Sequence, residues 1–120
     1  MIGHEGKTTR EAGRRGEELV CDRLVERGMR ILERNVSERF AELDIVAEDG
    51  ETLCFVEVRT RNDERLGHPA ETVDERKQRK IRRAAEAYLI RHRVPPRPIR
   101  FDVATIIWQS GQFDYFENAF

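Results

Sequence analysis

The chain is short of the residues that mark several common kinds of protein. Only two cysteines occur, Cys21 and Cys54, one in a helical pattern and one in a strand pattern. Both are expected to be reduced, buried and structural, which argues against a disulfide framework and suits a cytoplasmic protein. The three histidines, His4, His68 and His92, are scattered without ligand spacing, which argues against a zinc site. No apolar run approaches spanning length, so no transmembrane helix and no membrane partner are expected. The stretch through Glu18 has no apolar core segment, so it does not read as a signal peptide. Repeats, low-complexity tracts and linkers are also missing. A single domain over 1–120 is expected, with residues 1–8 a flexible N-terminus.

Charge is what the chain has in quantity, at 38% of residues against 38% apolar. The net charge of −1 hides an asymmetry. Residues 76–100 carry ten basic side chains against Glu86 alone, a net of +9, and the remainder carries a net of −10. Positive charge gathered into one quarter of the chain suits a polyanion on one face, although a solvated helix face balancing an acidic remainder is the simpler reading.

The stretch Glu42–Arg61 reads as two apolar-alternating strands around Asp49-Gly50, a strong hairpin signal. A two-residue Asp-Gly turn sets Glu48 against Glu51, Asp44 against Phe55 and Glu42 against Glu57. Because side chains alternate across a sheet, Asp44, Glu57 and Arg59 share one face. Asp44 and Glu57 then become diagonal neighbours about 7–8 Å apart, close enough for one cation between them. Such acids are hard oxygen ligands suited to Mg²⁺ or Mn²⁺.

Thr8-x-x-Glu11 reads as a capping box and Gly28 as a C-terminal stop, so a first helix is expected over residues 9–27. Its core stripe is Val20, Cys21 and Leu24, with Val25 alongside. Glu17 lies in line with that stripe, either as an inward-facing acid that needs a partner or as a helix-start acid favoured by the dipole. A strand over Met29–Ser37 follows, then the hairpin. The loop Arg61–Val73 contains His68, which reads as an ordinary loop histidine rather than a catalytic one.

Asp74 is a good N-cap for a second helix that ends before Val94-Pro95-Pro96, with the stripe Ile81, Ala84, Ala85, Tyr88, Leu89. Lys77 lies at the N-terminal end of that stripe, as a phosphate contact or as a lysine whose stem covers the core. Arg76, Arg79, Lys80, Arg82 and Arg83 flank it, and Arg61, Arg76, Lys77, Arg79, Lys80 and Arg83 are the expected nucleic-acid contacts. Ile99–Trp108 reads as a strand, Ser110-Gly111 as a turn and Gln112–Glu117 as a last strand. Asp102 reads as structural. The order is an α-β-β-β-α-β-β sandwich around a small mixed sheet, in the α/β class.

Two carboxylates with a third from a helix would hold a metal that polarises a phosphate, with a neighbouring cation steadying the transition-state charge. Asp44 followed by Glu57-Val58-Arg59 resembles the PD-(D/E)xK nuclease motif. More closely, the chain resembles the YraN-like family of uncharacterised bacterial proteins. The matching stretches are Gly16-Glu17, Arg34-Asn35, Glu42-Leu43-Asp44-Ile45, Phe55-Val56-Glu57-Val58-Arg59, Gly67-x-Pro69, Lys77, Arg100-Phe101-Asp102-Val103 and Asn118-Ala119-Phe120. The resemblance implies a restriction-endonuclease-like fold, similar also to Holliday-junction resolvases, with Glu17 joining Asp44 and Glu57 as metal ligands. It implies a nucleic-acid partner, DNA ahead of RNA and branched DNA among the candidates, with a homodimer as an option. Catalytic roles would fall to Asp44, Glu57, Arg59 and Lys77. The motif lysine is Arg59 here, and arginine cannot act as a general base. Two other readings remain: a module that binds nucleic acid without cutting it, and an adaptor using exposed C-terminal aromatics (Phe113, Tyr115, Phe116, Phe120).

Overall fold

In a computed structural model, residues 9–62 and 73–120 are described, with side chains from residue 13 onward. The elements are α1 (Thr9–Glu26), β1 (Arg30–Ser37), β2 (Glu42–Asp49), β3 (Thr52–Arg61), α2 (Glu75–Arg91), β4 (Ile99–Ile107) and β5 (Gln112–Phe116). This is the α-β-β-β-α-β-β order expected from the sequence. The strands form one mixed sheet in the order β1-β2-β3-β4-β5. All neighbours are antiparallel except β3 and β4, which run parallel because α2 carries the chain back between them.

The two helices cover opposite faces of the sheet. Val20, Cys21 and Leu24 of α1 pack with Ile45, Ala47, Cys54, Val56, Ala104 and Ile106. Ile81, Ala84, Ala85 and Tyr88 of α2 pack with Leu43, Val46, Phe55 and Val103. A sheet buried on both faces explains why the central strands read as nearly continuous apolar runs. Both cysteines are buried and free. Gly28 takes φ +91° and stops α1 in the left-handed conformation that glycine adopts without strain. Asp74 caps α2, its carboxylate accepting from Lys77 N–H at 2.9 Å.

Three expectations are corrected. Val25 is 57% exposed, because α1 meets the sheet through a stripe narrower than its apolar residues allow. The hairpin turns around Gly50-Glu51 rather than Asp49-Gly50, so Asp49 pairs Thr52, Glu48 pairs Leu53 and Val46, not Asp44, lies opposite Phe55. Gly50 has φ +62° and Glu51 does not share it, which is the sign pattern of a turn with glycine in its first central position. Of the C-terminal aromatics only Phe116 is exposed, at 39%. Phe113 and Tyr115 pack against the α1-side core, and Phe120 stacks on Phe101 with ring centroids 5.3 Å apart. The expected capping box and flexible N-terminus, and most of the loop after Arg61 with Gly67, His68 and Pro69, lie outside the described residues.

Candidate active site

Moving the turn by one residue moves every partner by two, so the face assignment survives. Ile45 pairs Val56, and one further step along that register sets Asp44 across from Glu57 instead of diagonal to it. Both point to the α2 side of the sheet, where they line a shallow cleft with Leu43, Phe55 and Ile81. Asp44 accepts Val58 N–H at 2.9 Å. The two carboxyl groups stand close enough for the charge of Asp44 to disfavour ionisation of Glu57.

The pair therefore resists ionising together. Burial raises both carboxyls above their ordinary values. Asp44 is held back by the Val58 N–H, which favours its charged form. Glu57 is 6% exposed and is pushed up to about 8, by burial first and by the neighbouring Asp44 charge second. A proton is therefore retained mainly on Glu57, beside the Asp44 carboxylate.

Cations surround the pair without neutralising it. Arg59 Nη2 lies 3.1 Å and Lys77 Nζ 3.9 Å from Glu57 Oε2. Arg59 comes from the same face of β3, and Lys77 from the first turn of α2. Further along that face, Arg59 Nε, Arg61 Nε and Thr105 Oγ1 are buried without hydrogen-bond partners among the described residues. Thr105 stands beside Arg59 in the β3–β4 ladder. Its placement was not signalled in the sequence, where it is one β-branched residue in an apolar strand. Unsatisfied buried polar atoms cost about 1–3 kcal/mol each, so their concentration around Arg59 marks a place where stability has not been optimised.

Glu17 is buried at 8% exposure, with Oε1 lacking a hydrogen-bond partner among the described residues. The inward-facing alternative for this residue is thus the one realised. Its carboxyl is raised by burial and then by the Asp44 charge, while an Asn35 side-chain hydrogen bond opposes the shift. Asn35 takes φ +53°, which asparagine tolerates better than most residues. Gly16 makes the placement of Glu17 tight, since a Cβ at that position would lie 2.7 Å from Thr60 Cγ2. α1 therefore approaches β3 closely just where it delivers its acid.

The structure brings Asp44, Glu57, Arg59 and Lys77 together and sets Glu17 within electrostatic reach of Asp44. Among the described residues no group of three His, Cys, Asp or Glu side chains is drawn in closely enough to hold one ion. Asp44 and Glu57 suit Mg²⁺ or Mn²⁺ as hard oxygen donors, and Mg²⁺ is commonly held by one or two carboxylates with water and phosphate oxygens completing the shell. The orphaned Glu17 oxygen fits a role next to such a shell. Arg76, Arg79, Lys80 and Arg83 lie exposed on α2, and Arg61 is half-buried at the end of β3. Asp102 is fully buried away from this cluster, accepting from Arg100 Nε, Tyr115 Oη and Asn118 N–H, so it is structural as expected. No described helix is long and apolar enough to cross a membrane.

The family UPF0102 (uncharacterised protein family UPF0102) matches residues 16–106, which contain the acid pair, both flanking cations and Glu17. A UPF0102 protein of Chlorobium phaeobacteroides (strain BS1) is 48% identical over 97 residues, 81% of this chain and 77% of that one. One from Persephonella marina is 39% identical over 108 residues, 90% and 91% of the two chains. One from Dictyoglomus thermophilum is 42% identical over 115 residues, 92% and 98%. The chain belongs to the UPF0102 family.

Proposed function

We propose that this protein is a metal-dependent endonuclease-like hydrolase of nucleic-acid phosphodiester bonds, acting on DNA ahead of RNA. The observation that carries the reading is the acid pair. Asp44 and Glu57 are held side by side on adjacent strands, kept by burial from ionising together, and flanked by Arg59 and Lys77. Carboxyl groups are rarely packed this way for stability alone, because two ionised acids at that separation repel. Perturbed acids beside cations in a cleft are a recognisable functional arrangement.

A bound Mg²⁺ or Mn²⁺ would polarise the scissile phosphate and lower the pKa of its water. Asp44 and Glu57 would hold the ion, Glu57 giving up its proton as it did so. Arg59, released from Glu57, keeps a permanent charge and can meet a phosphate oxygen with two N–H groups. Lys77 sits at the α2 N-terminus, where free N–H groups and the helix dipole also favour an anion. The exposed arginines and lysine of α2 would hold the backbone without reading sequence.

The test is incubation with duplex, single-stranded and four-way-junction DNA in Mg²⁺ or Mn²⁺, comparing wild type with Asp44→Ala and Glu57→Ala. Cleavage lost in both variants supports the reading, and cleavage unaffected by either substitution removes it. A second reading, binding without cleavage, draws on Arg59, which offers no titratable group where the motif has lysine. It expects salt-sensitive binding that survives Asp44→Ala, with no thermal stabilisation by Mn²⁺.

A further inference from the structure

Phe40 lies in the turn between β1 and β2, which is closed by Glu38 N–H donating to Ala41 C=O at 3.1 Å. Ala41 packs into the α2-side core, yet the neighbouring Phe40 ring remains 37% exposed. Two guanidinium groups attend it. That of Arg83 lies 3.9 Å from the ring centroid and that of Arg39 5.8 Å. A turn residue gains little by presenting a large ring to water, so the ring's position calls for a use.

Its neighbours indicate one. Arg83 stands at the end of an exposed row on α2 that starts at Arg76, with Arg79 and Lys80 between them, each three or four residues from both ends. The row begins beside Lys77, which reaches Glu57. From residue 77 to residue 83 the helix advances roughly 9 Å. A continuous basic ridge thus leads from the acid pair to an open aromatic ring.

Duplex DNA offers phosphates to such a ridge but keeps its base faces stacked. A single strand offers both phosphates and free π-faces, and aromatic rings with arginine beside them are how proteins take hold of it. We infer that Phe40, with Arg39 and Arg83, is a stacking platform for an unpaired base. The acid pair would then work on nucleic acid that contains a single-stranded segment. The inference rests on the nucleic-acid reading given above and adds to it the kind of strand.

The experiment uses the full chain with Trp108→Phe and Phe40→Trp, so that residue 40 carries the sole tryptophan. It is titrated with a single-stranded oligonucleotide, its duplex and inorganic polyphosphate. Emission quenched by the single strand, and by neither of the others, is the expected result. In the otherwise unaltered chain, Phe40→Ala should weaken single-strand binding about tenfold and leave duplex binding within twofold. Phe40→Leu, which keeps an apolar side chain at the turn, should behave the same way. Arg76→Ala should weaken both substrates equally. Equal quenching by all three titrants, or equal loss of both substrates in Phe40→Ala, overturns the platform while nucleic-acid binding stands. Failure of the wild type to bind any nucleic acid overturns both readings.

Discussion

Ionising Glu57 inside the folded chain should destabilise it. Glu57 titrates at about 8 when folded, against an ordinary 4.5 when the chain is unfolded. Between those values the folded state holds a proton that the unfolded state has released, so stability falls as pH rises through this window and levels above it. The full difference would correspond to an upper bound of ~5 kcal/mol, at about 1.36 kcal/mol for each pH unit. Relaxation of Arg59 and Lys77 toward the ionised carboxylate reduces that, and we expect about 1–3 kcal/mol between roughly pH 5 and pH 8.5. For a domain of this size that is roughly 4–12 °C in Tm. The assay is thermal unfolding across that range for wild type, Glu57→Gln and Asp44→Asn. In Asp44→Asn the amide oxygen can still accept the Val58 N–H while the charge beside Glu57 is gone. This variant should therefore raise Tm at about pH 8.5 and leave it nearly unchanged near pH 5. A gap between wild type and Glu57→Gln that stays constant across that range would refute the retained proton.

Three further outcomes can be measured. Mn²⁺ must displace the Glu57 proton, so its apparent affinity, read by calorimetry, should strengthen up to about tenfold per pH unit below about 8 and then plateau. Gly16→Ala should destabilise by about 1–2 kcal/mol in denaturant unfolding, despite a helix-propensity gain near 1 kcal/mol, because the new methyl meets Thr60 Cγ2. Adding Thr60→Ser, which removes that methyl, should restore stability. Asp102→Ala should cost about 3 kcal/mol or more, since it strands Arg100 and Tyr115 in a part-buried network. A loss below about 1 kcal/mol would mean that water replaces the carboxylate.

The helix limits were legible because their signals are local. Asp74 offers its carboxylate to an N–H three residues on, and Gly28 needs only its own missing Cβ. The hairpin was legible in kind but not in register. Asp49 stays in the ladder, and its carboxylate is met by Arg100 Nη2 at 3.0 Å from a strand far along the chain. No short window contains that partner. The site's acids survived the slip because a one-residue displacement of the turn preserves parity. Thr105 and Phe40 were not legible, since their importance comes from neighbours supplied by β3 and α2. The partial burial of Phe113 and Tyr115 was not legible for a related reason. Arg15 and Arg23 of α1, and Arg27 just after it, lie over Trp108, Phe113 and Tyr115 at 5.1–5.5 Å, a contact between segments at opposite ends of the chain.

The single parallel junction in the sheet also sets an order of assembly. β2 and β3 meet across a two-residue turn, whereas Leu53 must wait for Ile99 and Lys77 must arrive with the crossover helix. Closing that long loop is the slow, entropically costly step. The two acids therefore come together early, while Lys77 joins them late. Asp44→Asn should chiefly speed folding, and Lys77→Met should chiefly speed unfolding, in the two arms of a chevron.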